Sequence, residues 1–250
     1  MTMLFYKLWY LIVFTLSTIV AGLLCLALSY ISKPFTRRIT SQGWAYIVLG
    51  PARIKVEVTG HSYLPPPGAG GYIIFANHRS ILDIPTVAVA TGRAISWVAK
   101  SALGRIPVFG WTLKRVHLLV DRGGSAEAAK HMIAEASGRL AQGEIMAIFP
   151  EGTRNKTESP LLPFKKGAFI LAKHTGVPLV PLAIYGSGRL WPSGSLTPKP
   201  GLIKVAIGPP ITVGPKDTLN NISAAAQDTL SALYRTLEDS EPKNLSESTI

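Results

Sequence analysis

The chain has 250 residues, 47% hydrophobic and 16% charged, with 26 Lys and Arg against 14 Asp and Glu and a formal net charge of +12. That length allows one large α/β domain or two small ones, and the low charged fraction excludes a disordered or highly solvated chain. A lone cysteine, Cys25, excludes an internal disulfide and any zinc site built from cysteines.

Residues 8–32 carry no charge. As a helix this stretch is about 37 Å long, against a hydrocarbon core of about 30 Å. Lys7 precedes it, and Lys33, Arg37 and Arg38 follow it. The positive-inside rule then places the rest of the chain on the cytoplasmic side of the inner membrane. A cleaved signal peptide is the competing reading. Its apolar stretch is shorter and ends in a small-x-small site, of which Ala27-Leu28-Ser29 is a poor version. Cys25, inside the apolar stretch, reads as structural. Residues 44–49 form a second apolar stretch and predict an interfacial helix. The expected division is a membrane-anchoring segment over 1–50, one domain over 51–239, and a polar tail over 240–250.

From residue 54 onward, short runs rich in Ile and Val alternate with helical patterns. Strands are predicted over 54–58, 72–76, 95–99, 118–121, 145–149, 179–185 and 202–207; several are continuous apolar runs, as buried strands are. Ser125 is placed to cap a helix over 126–141, with Met132, Ile133, Ala136 and Leu140 on one face and Gly143 beyond its end. Leu219, Ile222, Leu230, Leu233 and Leu237 make a final helical stripe. Pro65-Pro66-Pro67-Gly68 reads as a surface loop. The alternation predicts one α/β domain.

Chemistry-bearing residues gather just after the strands. Asn77-His78-Arg79-Ser80-Ile81-Leu82-Asp83 follows the second, at the end where open α/β sheets place their sites. His78 and Asp83 are five apart, roughly 140° off a common helical face. They meet only if His78 lies in the turn and Asp83 in the first turn of the next helix. Histidine suits general base work, and a carboxylate on one ring nitrogen fixes its tautomer. Ser80-Ile81-Leu82-Asp83 also fits an acidic capping box; the two readings are compatible because a carboxylate has two oxygens. Phe149-Pro150-Glu151-Gly152-Thr153-Arg154-Asn155 follows the fifth strand. Its Arg can clamp a phosphate, and the competing reading is a turn with a surface Glu–Arg pair. Lys100 and Arg122 end two further strands, while Lys114 and Arg115 read as solvated cations. Pro178 and Pro181 beside and within the sixth strand predict an edge or a bulge. His61, His117, His131 and His174 read as ordinary. No G-x-S-x-G, P-loop, G-x-G-x-x-G or His-Glu-x-x-His is present.

Taken together, four blocks in order resemble the PlsC-type glycerolipid acyltransferases, in particular the 1-acylglycerol-3-phosphate acyltransferases, over about residues 50–210. They are His78-x4-Asp83; Lys100 to Pro107 with Gly110 and Arg122; Phe149 to Arg154 followed by Phe164-Lys165-Lys166-Gly167; and Val177-Pro178 to Val180-Pro181. The resemblance implies a single α/β domain with a central mixed sheet flanked by helices, preceded by a membrane helix or helical hairpin. It implies His78 as general base, Asp83 as its orienting partner, and direct transfer from acyl-CoA or acyl-carrier protein to a lysophospholipid. It implies that Glu151, Gly152, Thr153 and Arg154, helped by Lys100 and Arg122, hold the acceptor's glycerol phosphate. No metal or bound cofactor is implied; the acyl thioester is a co-substrate. Two rivals stay open: an acyltransferase for another lysolipid, such as lyso-ornithine lipid, and a basic peripheral membrane protein without activity. The charge-free segment and the lack of an aromatic-basic module argue against nucleic acid as a partner.

Overall fold

A computed structural model describes residues 3–106, 109–120 and 126–241. All seven predicted strands form: β1 (Ile54–Thr59), β2 (Tyr72–Ala76), β3 (Ile95–Lys100), β4 (Leu118–Val120), β5 (Ile145–Ile148), β6 (Leu179–Tyr185) and β7 (Gly201–Ile207). They make one mixed sheet in the order β1-β7-β6-β2-β5-β3-β4. The β6–β7 pair is antiparallel and every other pair is parallel. The helices are α1 (Met3–Leu28), α2 (Lys33–Leu49), α3 (Asp83–Thr91), α4 (Phe109–Val116), α5 (Ala126–Ala141), α6 (Gly167–Thr175), α7 (Ser187–Leu190) and α8 (Leu219–Asp239). The proposed cap Ser125 and the strand end Asp121 lie outside the described residues.

Strand β2 shows why the sheet is central. Tyr72, Ile74 and Ala76 face one apolar cluster with Val87 and Ala90 of α3 and Val48 and Leu49 of α2. Ile73 and Phe75 face the other, with Leu140 of α5, Phe169 of α6 and Leu230 of α8. A strand covered on both sides needs an unbroken apolar run, which is what the sequence supplies. The stripes predicted on α5 and α8 face this second cluster.

Strand β6 corrects the expectation of an edge, since it lies between β7 and β2. Pro181 fits an interior strand because it lies opposite Gly208, just past the end of β7, where the regular ladder has stopped. There β7 has ended, and Gly208-Pro209-Pro210 intervenes before Ile211 exchanges two hydrogen bonds with Leu179. The Pro181 carbonyl still accepts from Gly208 at 3.0 Å.

The N-terminal segment is a helical hairpin, and its second helix is longer than the predicted 44–49 stretch. Pro34 starts α2 in the first turn, where a proline ring is tolerated. The hairpin lies against the domain. Tyr10 is fully buried against Trp191 and donates from its hydroxyl to the Val48 carbonyl at 3.1 Å. Thr112 donates to the Gly22 carbonyl at 3.0 Å. The outer face of α1 stays bare, with Leu8, Ile12, Leu16, Ile19 and Leu23 exposed.

Three polar readings change. Arg37 is not a surface cation: it is 1% exposed, pairs with Glu144 at 2.8 Å and donates to the Val116 carbonyl. Arg115 is not solvated either, because its Nε donates to the Ser29 hydroxyl at 2.7 Å and its guanidinium lies 3.8 Å over the Tyr30 ring. Glu241 is no free tail residue, since both its oxygens accept from Arg189 and one also accepts from the Tyr185 hydroxyl. His117, read as ordinary, accepts the Trp97 N–H on Nδ1. Burial, then Arg37 and Arg139, push its pKa down to about 3.

Removing one partner of a buried pair leaves an uncompensated charge, so Arg37→Ala should lose about 3–5 kcal/mol of unfolding free energy. Arg38→Ala, at an exposed position, should stay within about 0.5 kcal/mol in the same denaturant titration. His117 is neutral when folded and takes a proton when unfolded below about 6.5. Its contribution is therefore full above that pH and is lost progressively as pH falls toward about 3. Between pH 7 and pH 5, His117→Gln should lose about 1–2 kcal/mol less stability than the unsubstituted chain. Equal losses in the two proteins would contradict this.

Candidate active site

Because β6, β2, β5, β3 and β4 run parallel, their C-terminal ends share one edge of the sheet. The predicted blocks follow those ends, as ligand sites do in open α/β sheets. At the end of β2, the Asn77 side chain exchanges two hydrogen bonds with the backbone of Ile184, at 2.8 and 2.7 Å. This ties the exit of β2 to β6 and aims the next residue out of the sheet.

That residue is His78. Its Nδ1 lies 2.8 Å from Oδ2 of Asp83, the first residue of α3. The same oxygen accepts the backbone N–H groups of Arg79 at 2.7 Å and Ser80 at 2.8 Å. Only half of the expected capping box forms: Asp83 reaches back to the Ser80 N–H with the oxygen that holds His78, but α3 begins at Asp83 with Leu82 before it, and the Ser80 hydroxyl takes the Leu82 N–H instead. Asp83 is fully buried, and the His78 side chain is 16% exposed. Phe149 stacks on the imidazole with ring centres 4.1 Å apart, and Trp97 stacks on Phe149. The ring plane is thus set from the side as well as by Asp83, and Nε2 is the nitrogen that Asp83 leaves unengaged. Ser80 supplies no nucleophile here; its hydroxyl donates to the Trp191 carbonyl at 2.8 Å.

The loop after β5 lies alongside. Glu151 is 2% exposed, and its oxygens accept the N–H groups of His78 at 2.8 Å and Leu162 at 2.9 Å. Burial raises its pKa, while those two amides pull it back. The expected contact between Glu151 and an acceptor thus meets a carboxylate already occupied by the backbone. Gly152 sits at φ 71, a left-handed conformation that glycine adopts without strain, in a turn closed by its N–H on the Phe149 carbonyl at 2.9 Å. Thr153 and Arg154, just past the turn, are exposed. Asn155 returns to His78, donating its N–H to the His78 carbonyl at 2.6 Å.

Lys100 ends β3 on the same edge and is exposed. Arg122 lies outside the described residues. Gly110 of the second block is explained by packing, since a Cβ there would come within 2.4 Å of the Gly104 carbonyl. Phe149, Asn77 and Arg79 stood inside the quoted blocks, but no sequence signal gave their tasks. Arg79 holds the loop rather than a ligand: its guanidinium donates to the carbonyls of Thr157 at 2.6 Å and Ser159 at 2.8 Å. Among the described residues, no group of three or more His, Cys, Asp and Glu side chains is placed to hold a metal ion.

The family described as Acyltransferase matches residues 55–185. A chloroplastic 1-acyl-sn-glycerol-3-phosphate acyltransferase of Brassica napus is 33% identical over 152 residues, covering 61% of this chain and 43% of its own. The 1-acyl-sn-glycerol-3-phosphate acyltransferase of Pseudomonas aeruginosa is 30% identical over 177 residues, 69% of this chain and 66% of its own. The chain spans about half the length of the plant and algal relatives it matches. The crystal structure of the 1-acyl-sn-glycerophosphate acyltransferase PlsC from Thermotoga maritima superposes with a TM-score of 0.78 at 24% identity, covering 96% of this chain and 98% of the other. That likeness establishes the fold.

Proposed function

The chain belongs to the Acyltransferase family, and from that membership we propose that it is a 1-acyl-sn-glycerol-3-phosphate acyltransferase. It moves an acyl chain from acyl-CoA or acyl-carrier protein to the sn-2 hydroxyl of lysophosphatidic acid, giving phosphatidic acid. The activities named for its relatives support that acceptor. The observation that carries the reading is the 2.8 Å contact between His78 Nδ1 and a buried Asp83 oxygen at the sheet's C-terminal edge.

With Nδ1 held by Asp83, Nε2 takes the proton of the acceptor hydroxyl. The resulting alkoxide attacks the thioester carbonyl, and the tetrahedral intermediate collapses by expelling the thiolate. The imidazolium returns its proton to that thiolate, and Asp83 stabilises the cation while it exists. No acyl-enzyme forms, in keeping with a Ser80 hydroxyl bound elsewhere. A positioned base contributes about 10²–10⁴ in rate; orientation of the two lipids and stabilisation of the oxyanion supply the rest. Arg154, Thr153, Lys100 and Arg122 receive the acceptor phosphate. In this reading Gly152 provides the turn that presents Thr153 and Arg154.

The hairpin holds the enzyme to the membrane, lying in one leaflet rather than crossing. Contacts with the domain run from Tyr10 on α1, against Trp191, to Ser29, one residue past its end, against Arg115. That is about 28 Å of helix, nearly a whole hydrocarbon core. A helix docked over that length cannot cross the bilayer unless the domain enters it too, whereas its bare face can sink among acyl chains.

In an assay of labelled acyl-CoA with a panel of lysolipids, lysophosphatidic acid should be the preferred acceptor and His78→Ala should lose at least about 10²-fold in rate. Activity within about tenfold of the original, in a folded variant, would sink the dyad. In the same assay Arg154→Ala should raise the acceptor's KM more than the donor's; the reverse would move Arg154 off the phosphate. For topology, single cysteines replacing Lys7 and Lys33 in a Cys25→Ser background should both react with an impermeant maleimide in inverted membrane vesicles. Protection of the Lys7 position alone would mean a span.

A further inference from the structure

Both backbone polar groups of His78 end on the loop that follows β5. Its N–H donates to Glu151 Oε1 at 2.8 Å, and its carbonyl accepts from the Asn155 N–H at 2.6 Å. Thr153 and Arg154 lie between those two attachments. The second Glu151 oxygen accepts the Leu162 N–H at 2.9 Å, drawing the far end of the same loop toward His78. Asn155 braces the middle: its side chain donates to the Ser159 carbonyl at 2.7 Å and accepts the Thr157 N–H at 2.8 Å. Arg79, next to the histidine, donates to the carbonyls of Thr157 and Ser159 from the other side.

We infer that Glu151 is a positioning residue rather than an acceptor ligand. Its carboxylate is the clip that holds the His78 backbone and the Arg154 loop as one rigid unit. This rests on the reading of His78 as base and Arg154 as phosphate ligand, and it deepens that reading. The chemistry calls for a carboxylate. Two backbone N–H groups point at it, and only an ionised carboxylate offers an acceptor oxygen to each. An amide in its place turns its NH₂ group toward one of them. At 2% exposure no face of the group is left for a lipid headgroup. Since a misplacement of about 1 Å can cost about 10²-fold in rate, loosening the clip acts on turnover.

The test is steady-state kinetics of Glu151→Gln and Glu151→Asp with the lysolipid that turns over fastest. Glu151→Gln should lower kcat at least about tenfold, with any rise in the acceptor's KM, through the loosened Arg154 loop, smaller than that fall. Glu151→Asp should lose less, since it keeps the charge and can reach one N–H. A rise in acceptor KM larger than the fall in kcat would overturn the positioning role and return Glu151 to the ligands. Amide hydrogen exchange on the unsubstituted protein covers the case of variants that do not fold. The His78 and Leu162 amides should be protected before any lipid is added and unchanged by it; protection that appears only with acceptor would refute a preformed clip. His78→Ala, run alongside, keeps the two ideas apart: activity surviving there removes the dyad, whereas the Glu151 kinetics bear on the clip alone.

Discussion

One buried oxygen organises the reactive edge of this protein. Asp83 Oδ2 takes the His78 ring, the Arg79 N–H and the Ser80 N–H, all within 2.8 Å. A carboxylate withdrawn from water is costly unless hydrogen bonds replace the solvent; here three donors gather on Oδ2, while the buried Oδ1 accepts none. The placement at the first residue of α3 adds the favourable end of a helix dipole. The same interaction therefore folds the turn after β2, starts the next helix and fixes which imidazole nitrogen is engaged. Stability and chemistry are not separable at this position.

The membrane hairpin connects to that turn through one aromatic residue. Tyr10 and Phe14 of α1 meet the Trp191 ring edge-on, at 5.7 and 5.4 Å between centres. The Trp191 carbonyl in turn receives the Ser80 hydroxyl. Two packed steps thus separate a helix with a bare apolar face from the backbone that holds the Asp83 carboxylate. On the other side of the site, the loop after β5 is bound to His78 through the Glu151 carboxylate, the Asn155 N–H and the Phe149 ring stacked on the imidazole. His78 stands between the layer that carries the bare apolar hairpin face and the loop that exposes Thr153 and Arg154, which is where the proposed transfer would bring its substrates together.

Much of the architecture was legible in the chain because it is local. Short runs rich in Ile and Val, several of them continuous, gave the seven strands, and the stripes on α5 and α8 gave one flanking layer. The spacing of His78 and Asp83 required a turn followed by a helix start, and the structure has that arrangement. What was not legible depends on partners far along the chain. Arg37 stands among the cations after the apolar segment, yet its partner Glu144 is over a hundred residues away. Arg115 turns back to Ser29, and Pro181 is admitted to an interior strand by a break after Ile207. Glu151 stands among the expected acceptor ligands because the resemblance places the whole 151–154 block there. Only the fold shows two backbone amides closing on it.

The proposed chemistry requires direct transfer between two bound substrates at His78. The most direct measurement follows thiol release from an acyl thioester by the purified chain in lipid vesicles, with and without lysophosphatidic acid, while phosphatidic acid is counted in parallel. The expected result is negligible release without the acceptor and, with it, one thiol per phosphatidic acid formed. Rapid release that ignores the acceptor, or a burst of thiol before any acceptor is added, would contradict the account by revealing a hydrolase or an acyl-enzyme.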